Sequence, residues 1–408
     1  MKNVLFITLP FKSHYFPAFN LAHTYHSHGY DIYFTGLSNS ESIITNQGFN
    51  FIPLNYITQN EIKDLKNLFG FFLKSISDQR FVKDKYEDFL MEGNSLISAI
   101  NKTNPIKVLL EINIAEYYLF FKNLNIDTEL FSIYLPTRRR RGIPPLDSSY
   151  TPNGSLFSDF ICFFLWKIYL LKKYINRKVN NFAFWKCNDD YFFDRFCKKN
   201  KVQNILSSDF FHSKGIISLK NNILCSEKLE FPNFKAFPNE VFHQSLKNRK
   251  ESVSISKEDI FFLNILKEKK SQGKKLILMS FGTFAYGNKK VDAFIEKAIT
   301  VINEIENVIL VISHIGNFNY KNSDKLFVFK WLPQMEVLQN ASLMITHGGL
   351  GTYKECVEAD IKMLVAPVNL VLDQVGNAKR IEKNGFGNHI KLNINNHKLK
   401  ALIKKSLE

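Results

Sequence analysis

Cysteine is scarce in this 408-residue chain: Cys162, Cys187, Cys197, Cys225 and Cys356 make an odd count of five with no CxxC pair. That argues against a disulfide framework or a zinc site built on paired thiolates, and it suits a reducing cytoplasm. Proline and glycine are few, 12 and 18 residues, which excludes a collagen-like repeat or a Pro/Gly-rich disordered chain. Long apolar runs are missing too. The longest, 157–171, is interrupted by Ser158, Asp159 and Lys167, short of the roughly 20 apolar residues a spanning helix needs. The first ten residues hold one lysine and a short apolar stretch. They read as a buried first strand rather than a secretory h-region.

What is present is an ordinary globular balance, 45% hydrophobic and 23% charged. At roughly 100–200 residues per domain, the length implies two domains, each with its own core. Lys and Arg exceed Asp and Glu by 54 to 38, a net charge of +16. Residues 138–201 alone hold 14 basic and 5 acidic residues, interleaved with aromatics from Phe157 to Phe196. The plainest reading is a buried aromatic face beside a solvated lysine face. A second is a segment that touches a membrane surface, from the cytoplasmic side, or an apolar acceptor. No recognition motif accompanies the charge, so nucleic acid is not expected. The run Arg138-Arg139-Arg140-Arg141 reads as a solvated loop or as a contact to phosphate or anionic lipid.

Strand and helix signals alternate in two series. The first has strands at 4–9, 30–35, 49–54, 106–110 and 129–134, with helices at 14–28, 41–47, 80–101 and up to about 124. The stretch 137–215 breaks this rhythm and is expected to form a helical insertion. Polar residues 238–256 are expected to be the interdomain linker. The second series has strands at 276–281, 308–313, 326–329, 343–346 and 363–366, with helices at 257–270, 291–302, 350–358 and 371–383. Strands separated by helices imply right-handed crossovers and parallel sheets covered on both faces. The expected fold class is α/β: two doubly wound Rossmann-like domains, 1–240 and 257–408, facing across a cleft at the carboxyl ends of their strands.

The strongest chemical signal lies between 331 and 374. Thr346-His347-Gly348-Gly349 follows an apolar strand and opens a helix. Adjacent glycines let a ligand approach the backbone, and the helix N–H groups favour a diphosphate. Thr352 adds a hydroxyl, and Glu355 a carboxylate suited to a ribose diol. Taken alone, such a short Gly motif would read as an ordinary turn with a surface histidine. It is preceded, however, by Trp331-Leu332-Pro333-Gln334, where an indole can stack on a base and an amide can meet its edge. It is followed, after Pro367, by Asp373-Gln374, a carboxylate and an amide placed side by side for sugar hydroxyls.

Together these elements resemble the donor signature of family 1 UDP-dependent glycosyltransferases, with the Trp331–His347 spacing similar to the bacterial form. The resemblance implies the GT-B fold and an inverting, metal-independent hexosyltransferase. It also implies stacking of Trp331 on uracil, contact of Gln334 with the base, diphosphate binding by His347, Gly348 and Gly349, and ribose binding by Glu355. The donor sugar would lie on Asp373 and Gln374, the latter similar to glucose-using members. Ser280-Phe281-Gly282-Thr283 resembles the family's strand-end element near the phosphates, with Thr283 as its candidate. At the other end, Pro10-Phe-Lys-Ser13-His14-Tyr-Phe-Pro17 resembles the segment that carries the general base, His14. A neutral imidazole suits deprotonation of an acceptor hydroxyl. Glu111, at the end of the strand 106–110, corresponds to the family's orienting acid, one methylene longer than the usual aspartate.

Three departures accompany the match. Gly351 replaces a common asparagine, the stretch from Pro367 to Asp373 is about two residues longer than usual, and only 34 residues follow Gln374. The expected function is transfer of a hexose, glucose first, from a UDP-sugar to a hydroxyl of an apolar small molecule, with no cofactor beyond the donor. The alternatives are a catalytically silent nucleotide-sugar-binding protein and a UDP-sugar epimerase of the same fold.

Overall fold

The structure, a computed structural model, describes residues 2–54, 79–183, 188–243, 257–282, 285, 287–314, 320 and 322–408. The chain divides into two compact units. The first comprises Met1–Gly142, Asp159–Ser226 and Lys235–Ser252, and the second Ile143–Ser158, Glu227–Phe234 and Val253–Glu408. The expected division at 240 and 257 assigned 143–158 and 227–234 to the first domain; their contacts group them with the second.

In the first unit the strands β1 (Lys2–Ile7), β2 (Tyr30–Gly36), β3 (Asn50–Pro53), β4 (Lys107–Glu111), β5 (Asp127–Ser132), β6 (Asn221–Ile223) and β7 (Glu240–Phe242) form one parallel sheet in the order β3-β2-β1-β4-β5-β6-β7. Helices α1 (Lys12–Ser27) and α2 (Gln79–Thr103) cover its two faces. Alternation along β1 makes the layers visible. Val4 and Phe6 pack with Tyr15, Ala18 and Phe19 of α1, whereas Leu5 and Ile7 pack with Phe89 and Leu96 of α2. A strand buried on both sides must be apolar at every position, which is why β1 reads as a continuous run. Phe6 stacks on Phe34 of β2 with ring centroids 4.6 Å apart.

The insertion contains helix α3 (Leu156–Ala183) and helix α4 (Asp189–Asn200). The inner side of α3 presents Cys162 and Trp166, both buried, and Tyr169, which stacks on Phe211 at 4.9 Å. Lys173 Nζ donates to the carbonyls of Phe210 and Ser213 at 2.9 and 2.7 Å, fixing the helix at mid-length.

Two expectations need correction here. Residues 238–256 were expected to form a linker, yet 240–242 are strand β7, hydrogen-bonded in register to β6, while 244–256 lie outside the described residues. The reason is Glu240. Its carboxylate takes two charge-assisted bonds from Arg140, Nη2 at 2.7 Å and Nη1 at 2.9 Å, with both side chains almost wholly buried. The arginine run is accordingly not a free solvated loop: Arg139 pairs with Asp209 at 3.3 Å, Arg141 with Asp159 at 2.6 Å, and Arg138 lies 3.9 Å over the Phe237 ring.

The second unit holds helix α5 (Lys257–Ser271), strand β8 (Lys275–Ser280), helix α6 (Lys289–Asn303), strands β9 (Val308–Ser313), β10 (Leu326–Phe329) and β11 (Leu343–Thr346), helix α7 (Leu350–Glu358), strand β12 (Lys362–Val365), helix α8 (Gln374–Lys383), strand β13 (Gly387–His389) and helix α9 (Asn396–Leu407). Its parallel sheet runs β10-β9-β8-β11-β12-β13. Ile277 and Met279 of β8 pack with Phe294 and Ala298 of α6 and with Leu399 and Ile403 of α9. Each sheet reverses its winding once, between β1 and β4 in the first and between β8 and β11 in the second. Such switch points open a crevice at the carboxyl ends of the strands, the usual place for a ligand.

Candidate active site

Each switch point carries one group of the residues singled out from the sequence. In the first unit β1 pairs with β4, Ile7 opposite Leu110, so their carboxyl ends lie side by side. The chain leaving β1 turns through Pro10 and Phe11 into the first turn of α1, which carries His14; the end of β4 carries Glu111. Residues 97 apart in sequence thereby meet, with His14 Nδ1 2.7 Å from Glu111 Oε1. The longer side chain of Glu111 spans the gap without difficulty.

Glu111 is fully buried, and its carboxylate is saturated. Oε1 also accepts from Asn113 Nδ2 at 2.8 Å; Oε2 accepts from Thr8 Oγ1 at 2.6 Å and from the Leu9 N–H at 2.9 Å. Burial pushes the carboxyl pKa up, but the facing His14 charge and the bonds from His14, Thr8 and Leu9 outweigh it and hold the pKa below the ordinary value. An ionised carboxylate only accepts, so His14 Nδ1 must carry the proton shared with it, and the lone pair of the neutral ring lies on Nε2. Sequence reasoning missed Thr8 and Asn113. A lone threonine after a strand and a lone asparagine two residues past a glutamate carry no pattern; only the pairing of β1 with β4 brings them to one carboxylate.

In the second unit, β11 delivers His347, Gly348 and Gly349 to the start of α7. Gly348 has φ +87°, and a Cβ on it would lie 2.7 Å from Val365 Cγ1 and 3.1 Å from the Gln374 carbonyl. No side chain but hydrogen fits this turn. Gly349 is the N-cap of α7 and supplies no side-chain bond to the helix, so the first-turn N–H groups are open to an anion. Gly282, at the end of the β8 loop, also has positive φ (+68°), and its missing Cβ lets that loop come close to the His347 ring. Burial drives the His347 pKa down to about 4 against an opposing Ser280 backbone hydrogen bond. The imidazole is thus neutral at pH 7, offering an N–H rather than a charge; its Nδ1 is buried with no hydrogen-bond partner among the described residues.

That shift fixes a pH dependence. The unfolded chain protonates this histidine near 6.5, the folded chain only near 4, so stability is lost as pH falls through that window. At about 1.4 kcal/mol per pKa unit the full contribution is about 3–4 kcal/mol. The thermal midpoint measured from pH 7 down to 4.5 should fall, and His347→Asn should flatten the slope.

The remaining donor-side residues fall into two clusters. Gln334 Nε2 donates to Glu355 Oε2 at 2.6 Å and lies 3.3 Å from Thr352 Oγ1, so the expected base and ribose residues form one network at the start of the short helix Gln334–Leu338. Trp331, just past β10, is half exposed. Asp373 is the N-cap of α8, buried, and its Oδ2 accepts from Asn377 Nδ2 at 2.9 Å; the same nitrogen bonds the Gly348 carbonyl. Burial raises the Asp373 pKa against the Asn377 bond. Gln374 Oε1 accepts the N–H groups of Val368 and Asn369 at 2.9 and 2.8 Å, pinning the long stretch after Pro367. Thr283 lies outside the described residues. Gly351, in the first turn of α7, has nothing within 4 Å of where its Cβ would stand. Gly351→Asn should therefore fit without strain and keep or raise the midpoint of a thermal melt, because glycine is a poor helix residue.

Comparison with known proteins agrees with this layout. Residues 287–408 match the glycosyltransferase family 28 C-terminal domain. A putative UDP-glucuronosyltransferase of Caenorhabditis elegans, ugt-60, is 29% identical over 148 residues, 35% of this chain and 28% of that protein. The uncharacterized UDP-glucosyltransferase YojK of Bacillus subtilis (strain 168) is 28% identical over 121 residues, 29% of each chain. The matched stretches thus span under a third of these relatives' own length. Among solved structures, the glycotransferase of kitacinnamycin superposes with a TM-score of 0.71 at 16% identity, covering 100% of this chain and 91% of that one. Spinosyn rhamnosyltransferase SpnG gives 0.61 at 12% identity, covering 100% and 92%. The chain thus has the two-domain GT-B fold along its length, and its residues 287–408 match the glycosyltransferase family 28 C-terminal domain.

Proposed function

We propose that the protein is an inverting, metal-independent hexosyltransferase that moves a sugar, glucose first, from a UDP-sugar to a hydroxyl of an apolar small molecule. The observation that carries this reading is the His14–Glu111 pair, 2.7 Å apart at a switch point, with the carboxylate saturated by donors. A hydroxyl is a poor nucleophile, and the pair supplies a positioned base with a fixed tautomer. In the proposed reaction Nε2 of His14 takes the acceptor proton. The acceptor oxygen bonds to the anomeric carbon from the side opposite the diphosphate, and the bond from that carbon to the diphosphate oxygen breaks. Glu111 stabilises the imidazolium until its proton passes to solvent. The departing UDP carries the electron pair and rests on the N–H groups at the start of α7 and on neutral His347, an electrostatic sink arranged in advance.

Trp331 would stack on the base and Glu355, already oriented by Gln334, would hold the ribose. The Asp373 carboxylate and the Gln374 amide group would meet the sugar, their other atoms being committed to Asn377 and to the loop after Pro367. The test is UDP release from UDP-glucose with a panel of phenolic, macrolide and carotenoid alcohols, for wild type and His14→Ala in parallel. Acceptor-dependent release that disappears in the variant supports the reading. UDP-sugar binding without release from any acceptor favours a silent nucleotide-sugar-binding protein instead.

A further inference from the structure

Helix α3 is buried on one side and apolar on the other. Phe160, Phe164, Ile168, Leu171, Ile175 and Val179 follow one another at intervals of three or four residues, and each is between 46% and 59% exposed. At 1.5 Å per residue this stripe runs for about 30 Å along the helix. A helix facing water on its outer side normally turns polar residues outward; one that stays apolar there has a partner other than water. The inner side is already occupied by Trp166, Tyr169 and the Lys173 anchor.

The charges identify the partner. At 3.6 residues per turn, Lys172 falls at one margin of the stripe and Lys167 and Lys178 at the other, all three exposed. The one acidic residue of α3, Asp159, is paired with Arg141, and Asp190 and Asp194 of α4 are paired with Arg177. These three carboxylates are neutralised within the protein, while lysines line the apolar stripe with their ammonium groups in reach of solvent. Among the described residues no helix is long and apolar enough to cross a bilayer. We propose that the outer face of α3 docks the protein on an anionic lipid surface. It lies in the interface, its phenylalanine and aliphatic side chains among the upper acyl segments and Lys167, Lys172 and Lys178 at the headgroup phosphates. In the arginine run, which the sequence suggested for this contact, Arg140 is buried on Glu240 and Arg139 and Arg141 are paired with Asp209 and Asp159.

The test is flotation of the full chain with phosphatidylcholine vesicles, with and without phosphatidylglycerol, at low and high salt and with no sugar donor present. Vesicle binding is thereby read independently of the transfer reaction. Wild type is expected to float with the anionic vesicles at low salt and to be released by high salt. The K167E/K172E/K178E variant should bind on the order of a hundredfold more weakly, at about tenfold or less per lysine. The F164S/L171S variant should lose binding with its charges intact. All five positions are exposed, so both variants should keep the wild-type thermal midpoint. The proposal is overturned by absence of binding to anionic vesicles, by binding that neither variant weakens, or by a self-association in sedimentation that F164S/L171S abolishes while vesicles are ignored.

Discussion

His14→Ala is expected to lower kcat/KM for acceptor glycosylation by roughly 10²–10⁴-fold, the usual contribution of a positioned general base, while leaving the Kd for UDP unchanged. The second half of that statement separates loss of the base from loss of the donor site, because the donor residues belong to the other unit. Glu111→Gln sharpens the test. The carboxylate serves two donors on each oxygen, His14 and Asn113 on Oε1, Thr8 and Leu9 on Oε2. An amide has one oxygen to offer. If it faces Thr8 and Leu9, the amide N–H₂ opposes the His14 Nδ1–H and forces the other tautomer; if it faces His14, the Leu9 N–H is left buried without an acceptor. Either way activity falls, and the unsatisfied donor costs about 1–3 kcal/mol of stability. Stopped assays of UDP release read the first loss and parallel thermal melts the second. The wild-type carboxylate contributes stability above the unfolded glutamate pKa, and that contribution is lost as pH falls through its lower folded value.

The largest stability effect belongs to a pair with no place in the chemistry. Arg380 of α8 is wholly buried, lies 4.4 Å over the Phe231 ring and donates to both oxygens of buried Glu230, Nη2 to Oε2 at 3.1 Å. Its Nη1 also donates to the Gly376 carbonyl at 3.1 Å. Removing one member of a buried pair strands the other charge away from water, at a cost of about 3–5 kcal/mol. Arg380→Ala and Glu230→Ala should each show that loss in urea unfolding. Arg380→Met with Glu230→Leu should recover much of it, since a buried ion pair contributes little beyond what apolar packing supplies. Single variants as stable as wild type would contradict the assignment.

Most of the sheet framework was legible because its central strands are apolar on both faces: β1, β4, β8, β9 and β11 fall within two residues of where hydrophobic runs place them. The edges were not. Strands β6, β7 and β13 read Asn-Asn-Ile, Glu-Val-Phe and Gly-Asn-His; their pairing comes from backbone bonds to a strand already in place, which leaves no trace in side-chain pattern. The segment taken for a linker shows the same thing, since Glu240 looks solvated until Arg140 is seen to neutralise it. At the site, motif spacing located His14, Glu111 and the 331–374 group. The couplings among them, Gln334 with Glu355 and Gln374 with the loop after Pro367, depend on which strand ends become neighbours, and no linear spacing encodes that.

The assignment of 143–158 and 227–234 to the C-terminal unit has a consequence for recombination. Leu146 O accepts the Gly376 N–H at 3.0 Å, and a Cβ on Gly376 would stand 2.0 Å from that same oxygen. Glu230 is the partner of Arg380, and the Leu229 carbonyl takes the hydroxyl of buried Tyr353 at 3.0 Å. A chimera joined at the polar segment near residue 250 would therefore inherit α7 and α8 from one parent and the two strips that close over them from the other. The second unit is not a cassette that a single crossover exchanges. A working graft carries three pieces of chain, and the natural unit of inheritance for this half of the protein is discontinuous.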